Sequence, residues 1–138
     1  MIFESNSEND TFEYARRMGE NAKPGEIYCL NGDLGTGKTV FSKGFAKGLG
    51  IEDHITSPTF TIVQEYEGRL KLYHMDVYRI ADSEEMYEIG FDEMVEGDGV
   101  CLIEWAQIID DILPKDRISV TIRKNLDKGL DHREIEIV

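Results

Sequence analysis

Apolar residues fall along this chain in two ways, and each predicts a different kind of element. Where they recur every third or fourth position they predict helices; where they run together or alternate they predict strands. Ser7-Glu8-Asn9-Asp10 resembles a capping box with Asp in place of Glu or Gln. It predicts a helix to about Gly19 that buries Phe12, Ala15 and Met18. Pro24-Gly25 breaks that pattern and leads into a short β-prone run, Glu26 to Asn31. A second helix is predicted from Val40 to Leu49, closed by Gly50, with Phe41, Phe45 and Leu49 as its apolar stripe. Gly44 and Gly48 weaken it locally and suggest close packing. From Ser57-Pro58-Thr59, a loop signal, the pattern turns to strands. Phe60 to Tyr66 and Leu70 to Tyr78 are β-rich runs joined by Glu67-Gly68-Arg69, a predicted hairpin. Ser83 is the predicted cap of a short helix carrying Met86, Ile89 and Phe91, and Asp92 to Val95 a further helical turn. Val100-Cys101-Leu102-Ile103 is a continuous apolar run, the mark of a central strand, with Glu104 at its end. After Pro114, Arg117 to Arg123 and Arg133 to Val138 alternate as a closing hairpin around the polar loop Asn125 to Asp131. The expectation is one α/β domain over residues 1–138, its mixed sheet parallel at the centre, antiparallel in the hairpins, and flanked by helices.

Between the first central strand and the second helix stands Gly32-Asp33-Leu34-Gly35-Thr36-Gly37-Lys38-Thr39. This fits the phosphate-binding loop, G-x-x-x-x-G-K-[ST], at every fixed position, and in the strand–loop–helix context the motif requires. The expected fold is therefore the P-loop NTPase fold. The glycines let backbone approach an anion, and the N–H groups at the helix start bind phosphate oxygens. Lys38 would reach the β- and γ-phosphates, and the Thr39 hydroxyl would ligate Mg²⁺.

Charge narrows the function further. Twenty-eight acidic against fifteen basic residues leave a net −13, a surface that repels nucleic acid, and no strong local basic patch offsets it. No apolar run approaches the roughly 20 residues of a membrane helix, and Met1-Ile2-Phe3-Glu4-Ser5 lacks the basic and apolar regions of a signal peptide. A cytosolic protein is expected. Cys29 and Cys101 both lie in strand-like apolar runs and read as small core residues rather than a disulfide or metal pair.

In open α/β sheets, ligands bind beyond the carboxyl ends of the strands. Besides the P-loop, Glu104 and Asp76 fall there. A P-loop hydrolase needs an acid for Mg²⁺, a group that orients the attacking water and a segment that senses the γ-phosphate. Glu104 is the candidate for the first; Asp76 and the Ser57-Pro58-Thr59 loop are candidates for the others. His74 reads as a half-buried strand residue, and His54 and His132 show no metal-ligand spacing. Trp105 is either a core or interface residue or packs near the nucleotide, and Arg79 and Arg133 are both candidates to supply positive charge.

Taken together, the P-loop, Ser57-Pro58-Thr59-Phe60-Thr61, His74-Met75-Asp76-Val77-Tyr78-Arg79 and Ile103-Glu104-Trp105 resemble, in order and spacing, the TsaE family. These are small bacterial P-loop ATPases of tRNA threonylcarbamoyladenosine biosynthesis. The resemblance implies an ATP- and Mg²⁺-dependent ATPase working with TsaD and TsaB, with tRNA reached only through those partners. It implies nucleotide contacts from Asp33, Leu34, Gly35, Thr36, Gly37, Lys38, Thr39 and Val40, and magnesium ligation by Thr39 and Glu104. Thr59 and Asp76 take the γ-phosphate-sensing and water-orienting positions, and Arg133 and the Glu8 to Thr11 stretch lie toward the base or ribose. Val77 and Phe60 stand where relatives often carry Leu and Tyr, both conservative. The main rival is a P-loop small-molecule kinase, which closes an arginine-bearing lid over its phosphates; no arginine cluster follows the core strands here. A GTPase is disfavoured, since Lys124-Asn125-Leu126-Asp127 only scrambles the guanine-reading letters. A nucleotide-dependent docking module is compatible with the ATPase reading.

Overall fold

The computed structural model describes residues 1–33, 35–56 and 62–138. Leu34 and the Ser57 to Thr61 stretch, with Thr59 and Phe60 in it, lie outside the described residues. The predicted runs become strands β1 (Ile2–Ser5), β2 (Ile27–Gly32), β3 (Val63–Tyr66), β4 (Leu72–Asp76), β5 (Val100–Glu104), β6 (Ile118–Lys124) and β7 (Arg133–Ile137). They form one sheet in the order β1-β7-β6-β2-β5-β4-β3. β2 is parallel to β5 and β6, and β4 is parallel to β5. The β3–β4, β6–β7 and β1–β7 pairs are antiparallel. The expected mixed sheet, parallel at its centre and edged by hairpins, is the one observed.

Helices α1 (Glu8–Glu20) and α2 (Lys38–Gly48) share an apolar cluster with Leu30, Leu102, Val120 and Ile122. Helices α3 (Glu85–Glu88) and α4 (Phe91–Glu96), and a 3₁₀ segment (Ala106–Ile112), share a second cluster with Ile27, Cys29, Met75 and Ile103. The period-two alternation of β2 explains both clusters. Tyr28 and Leu30 enter one, and Ile27 and Cys29 enter the other. Both cysteines are buried and unbridged, and burial pushes the Cys101 thiol up to about 12 and raises Cys29 as well. They are neutral core residues, as their setting in apolar runs predicts. Among the described residues no helix is long and apolar enough to cross a membrane.

The capping signal is realised with one change of partner. Ser7 Oγ accepts from the Asp10 amide, while Asp10 Oδ2 accepts from Asn6 N, one residue before the cap. The shorter Asp side chain thus closes the box on the neighbouring amide. Helix α1 ends at Glu20, ahead of Pro24, with Asn21 as its cap. Arg69, at the tip of the β3–β4 hairpin, donates to the carbonyls of Gly19, Glu20 and Ala22. This satisfies acceptors that a helix end leaves open.

Several expectations are corrected. Strand β1 has no counterpart in the sequence reading, because four residues with exposed Ile2 make too short an alternation. Ser83 does not cap α3; its hydroxyl bonds Asp111, and the amides of Ala81 and Asp82 are taken by the Glu85 carboxylate. Phe12 and Met18 are only partly buried. Thr11, Ala15 and Gly19 are the buried residues of α1, because the two helices lie too close for large side chains between them.

That closeness is set by glycine. A Cβ on Gly44 would lie 2.3 Å from the Phe12 carbonyl oxygen, one on Gly19 2.2 Å from that of Phe45, and one on Gly48 2.0 Å from that of Arg16. Each clash is with backbone, which cannot move aside without separating the helices. Gly48→Ala should therefore destabilise the fold by about 2–3 kcal/mol in chemical denaturation, overpacking outweighing the roughly 1 kcal/mol gain in helix propensity. Lys43→Ala, on the exposed side of α2, should stay within about 0.5 kcal/mol of the parent.

Candidate active site

Because β2, β4, β5 and β6 run parallel, their carboxyl ends open on one edge of the sheet. β7 is antiparallel to β6 and so begins on the same edge, and β1, antiparallel to β7, ends there. This edge gathers the P-loop after β2, Asp76 after β4, Glu104 after β5, Lys124 after β6, Arg133 at the start of β7 and the N-terminus of α1.

The P-loop turns tightly. The Thr36 amide and hydroxyl both donate to the Asp33 carbonyl, at 3.2 and 2.8 Å. Thr36 is buried, whereas Asp33, Gly35 and Thr39 are exposed and Val40 is half-buried. Gly37 caps α2 at φ 105°, a left-handed conformation in which a side chain is strained. A Cβ on Gly32 would stand 2.7 Å from Thr36 Oγ1 and 2.9 Å from the Ile122 carbonyl oxygen, so the loop also needs glycine for space.

Lys38 projects from the first residue of α2 into a polar cluster at the end of β5. Its ammonium lies 4.0 Å from Glu104 Oε1 and 5.1 Å from the centroid of the Trp105 ring. A carboxylate and an aromatic face both attract a cation, the latter by about 0.5–2 kcal/mol. Trp105 adopts φ 63°, alone among non-glycine described residues in the left-handed region, as the chain swings out of β5 into the 3₁₀ segment. That turn carries the indole to Lys38 and to the Tyr78 ring, whose centroid is 4.8 Å away. Trp105 is 36% exposed, so it is not a core residue, and its ring stands beside the P-loop lysine.

Glu104 is 7% exposed, so its second oxygen needs a partner in the protein. His74 supplies it. Its Nε2 lies 3.0 Å from Glu104 Oε2, and the ring is buried. The sequence reading of His74 as a plain half-buried strand residue is therefore corrected. The available signal was its position two residues before Asp76, on the same face of β4. Asp76 pairs directly with Glu104 across the β4–β5 ladder, and its Oδ1 accepts from the Tyr78 amide at 3.0 Å.

Arg133 braces the P-loop from the opposite side. Its Nε donates to the Thr36 carbonyl at 2.9 Å and its Nη1 to the carbonyls of Leu130 and His132, with the Gly35 carbonyl 3.5 Å from Nη2. The guanidinium meets the loop through its backbone. Beside it Ser7, Glu8 and Thr11 of the α1 N-terminus join Gly35, Thr36, Gly37, Val40 and Asp131 around a cleft of about 80 Å³. Lys124, absent from the sequence-derived site, places its ammonium 3.5 Å from where a Gly35 Cβ would stand. Its signal was its place at the end of the strand beside β2, legible only once that neighbour is known. Arg79 is exposed.

Lys38, Thr39, Glu104 and Asp76 are thus brought to one edge, with His74 and Trp105 added. A strand-end acid, a helix-start hydroxyl and a cationic loop are the donors a Mg²⁺–nucleotide would use.

The model of the family described as "Threonylcarbamoyl adenosine biosynthesis protein TsaE" matches residues 5–135. The tRNA threonylcarbamoyladenosine biosynthesis protein TsaE of Bacillus subtilis is 50% identical over 127 residues, covering 91% of this chain and 77% of that protein. Its namesake from Treponema pallidum is 44% identical over 133 residues, 96% of each chain. The crystal structure of Bacillus subtilis YdiB superposes with a TM-score of 0.79 at 44% identity, over 98% of this chain and 82% of that one. The match runs through the P-loop, the β4 and β5 ends and the closing hairpin, and the chain belongs to the TsaE family.

Proposed function

We propose that this protein is a Mg²⁺-dependent ATPase that serves formation of the threonylcarbamoyl group on tRNA adenosine, acting with TsaD and TsaB. The observation that carries the reading is Lys38 of a complete P-loop facing the buried carboxylate Glu104. Family membership supplies the biosynthetic setting. ATP would lie over Gly35, Thr36, Gly37 and Lys38, its phosphates meeting the amides at the start of α2. Magnesium, held by Thr39 and Glu104, would neutralise charge on the β- and γ-phosphates.

The remaining side chains then have definite tasks. Lys38, which here faces Glu104 and Trp105, would meet phosphate oxygens, and Glu104 would then be available to hold the metal. His74 holds Glu104 in orientation from its other oxygen. Asp76, opposite Glu104 on the ladder, would orient a water. Thr59 is assigned the γ-phosphate-sensing role on the family pattern. Arg133 holds the P-loop through the Thr36 carbonyl and lines the neighbouring cleft, where on the family pattern it would lie toward the base or ribose. The net charge of −13 suits a protein that leaves tRNA to its partners.

The deciding measurement is Mg²⁺-dependent ATP hydrolysis by the chain, alone and with TsaD and TsaB, alongside tRNA threonylcarbamoylation. Slow turnover that changes on assembly is expected; turnover indifferent to the partners, with phosphate passed to a metabolite, would mark a kinase instead. Lys38→Ala should weaken ATP binding by about 10–100-fold, the worth of a charged hydrogen bond, and unchanged affinity would refute the phosphate cradle. Glu104→Ala should cut turnover by roughly 10²–10³-fold while nucleotide affinity falls much less. His74→Ala should lower turnover about 10–100-fold and raise the Mg²⁺ concentration needed for half-maximal rate. A His74→Ala enzyme with normal Mg²⁺ dependence would reduce that residue to packing.

A further inference from the structure

A second polar cluster lies on the same edge of the sheet, beyond Arg133. Glu4 on β1 and Glu134 on β7 are direct cross-strand partners. Like charges in that position repel, so the pair calls for a cation. His132 completes the group: a carboxylate oxygen from each acid and one ring nitrogen all lie within 4.8 Å of one another.

The histidine is what makes this more than an acidic patch. Its side chain is 5% exposed, and its Nδ1 lies 2.9 Å from Asn6 Oδ1. An amide oxygen accepts only, so Nδ1 is the donor in that contact and Nε2 is the nitrogen left for a further partner. That Nε2 is buried and has no hydrogen-bond partner; it stands 3.4 Å from Glu4 Oε1, itself an acceptor. A histidine fixed through one nitrogen, with the other bare and facing carboxylates, is the arrangement of a metal ligand and its supporting acceptor. Glu134 is steadied in turn by the Asn125 amide, 3.3 Å from Oε2.

We propose that Glu4, His132 and Glu134 form a site for a divalent transition metal of the Zn²⁺ type, separate from the Mg²⁺–nucleotide position. One imidazole and two carboxylates match zinc or its neighbours better than magnesium, which prefers oxygen alone. Two carboxylates and a neutral imidazole also balance a charge of +2. Lys128 is the internal competitor. Its ammonium bonds Glu4 Oε1 at 2.5 Å and lies 3.9 Å from Glu134 Oε2. Lys128 is half exposed, as is Glu4, so one can swing into solvent and the other close on the ion by about an ångström to reach bonds near 2.1 Å. The ion would then tie β1 to β7 next to Arg133, the residue gripping the P-loop carbonyls.

The test is calorimetric titration of the full chain with ZnCl₂ near pH 7.5, with MgCl₂ as the contrasting ion. We expect a zinc equivalent that Mg²⁺ does not displace and that is lost in Glu134→Gln and Glu4→Gln. Lys128→Ala should bind it at least about 5-fold tighter, since it removes a competing cation without touching a ligand. His74→Ala should leave this equivalent intact, which separates it from any zinc taken up at Glu104. Equal zinc binding by the parent and Glu134→Gln, or no tightening in Lys128→Ala, would overturn the proposal. So would a cluster that responds to pH alone, with His132 protonating against Glu4 and zinc shifting neither its imidazole resonances nor the thermal midpoint.

Discussion

Everything functional in this molecule depends on the parallel pairing of β2 with β5 and β6, and of β5 with β4. Parallel strands can be joined only by crossovers, so helices are laid over both faces and the carboxyl ends of four strands are left together. The strands that pair antiparallel at the rim of the sheet then bring in β7 by its beginning and β1 by its end. Residues from position 7 to position 133 meet at one edge for this reason alone. Binary hydrophobic patterning of the central strands, buried on both faces, is what secures the pairing.

At that edge the governing constraint is the burial of Glu104. A carboxylate removed from water must be surrounded by donors or cations, and here one oxygen meets His74 while the other faces Lys38. Trp105, held in a left-handed conformation, closes the site over the lysine. Strain of this kind, worth of order 1–3 kcal/mol, persists only where the surroundings dictate it. Lys38 is therefore held by two attractive contacts, a carboxylate and an aromatic face, beside the loop it belongs to.

The chain resolves an apparent conflict of charge by segregation. Its net −13 is spread over the surface, while Lys38, Lys124 and Arg133 surround the P-loop. A Debye length of about 8 Å under physiological salt lets such a local field persist at the loop while the whole surface still repels a polyanion. Arg133 contributes by shape as well as charge, since its rigid fork reaches several carbonyls of the loop region at once.

What could be read in the chain without its fold was whatever depends on neighbours in sequence. The P-loop with its strand and helix, the α1 cap, both hairpins, the Glu104 strand and the packing role of Gly44 and Gly48 all follow from local periodicity and backbone stereochemistry. The four co-occurring motifs were enough to recognise the family. Tertiary structure alone decided what depends on strand order. It turned His74 from a strand residue into the partner of Glu104, set Trp105 against Lys38, and brought Lys124 beside Gly35. It also made Arg133 the brace of a loop about a hundred residues earlier in the chain and joined Glu4 to His132 and Glu134. Their contacts were hidden because they join residues 30 to 130 positions apart, whose meeting is set by which strands lie side by side. Strand β1 was missed for the same reason: four residues carry too little pattern, and its place is decided by the hydrogen bonds that β7 offers.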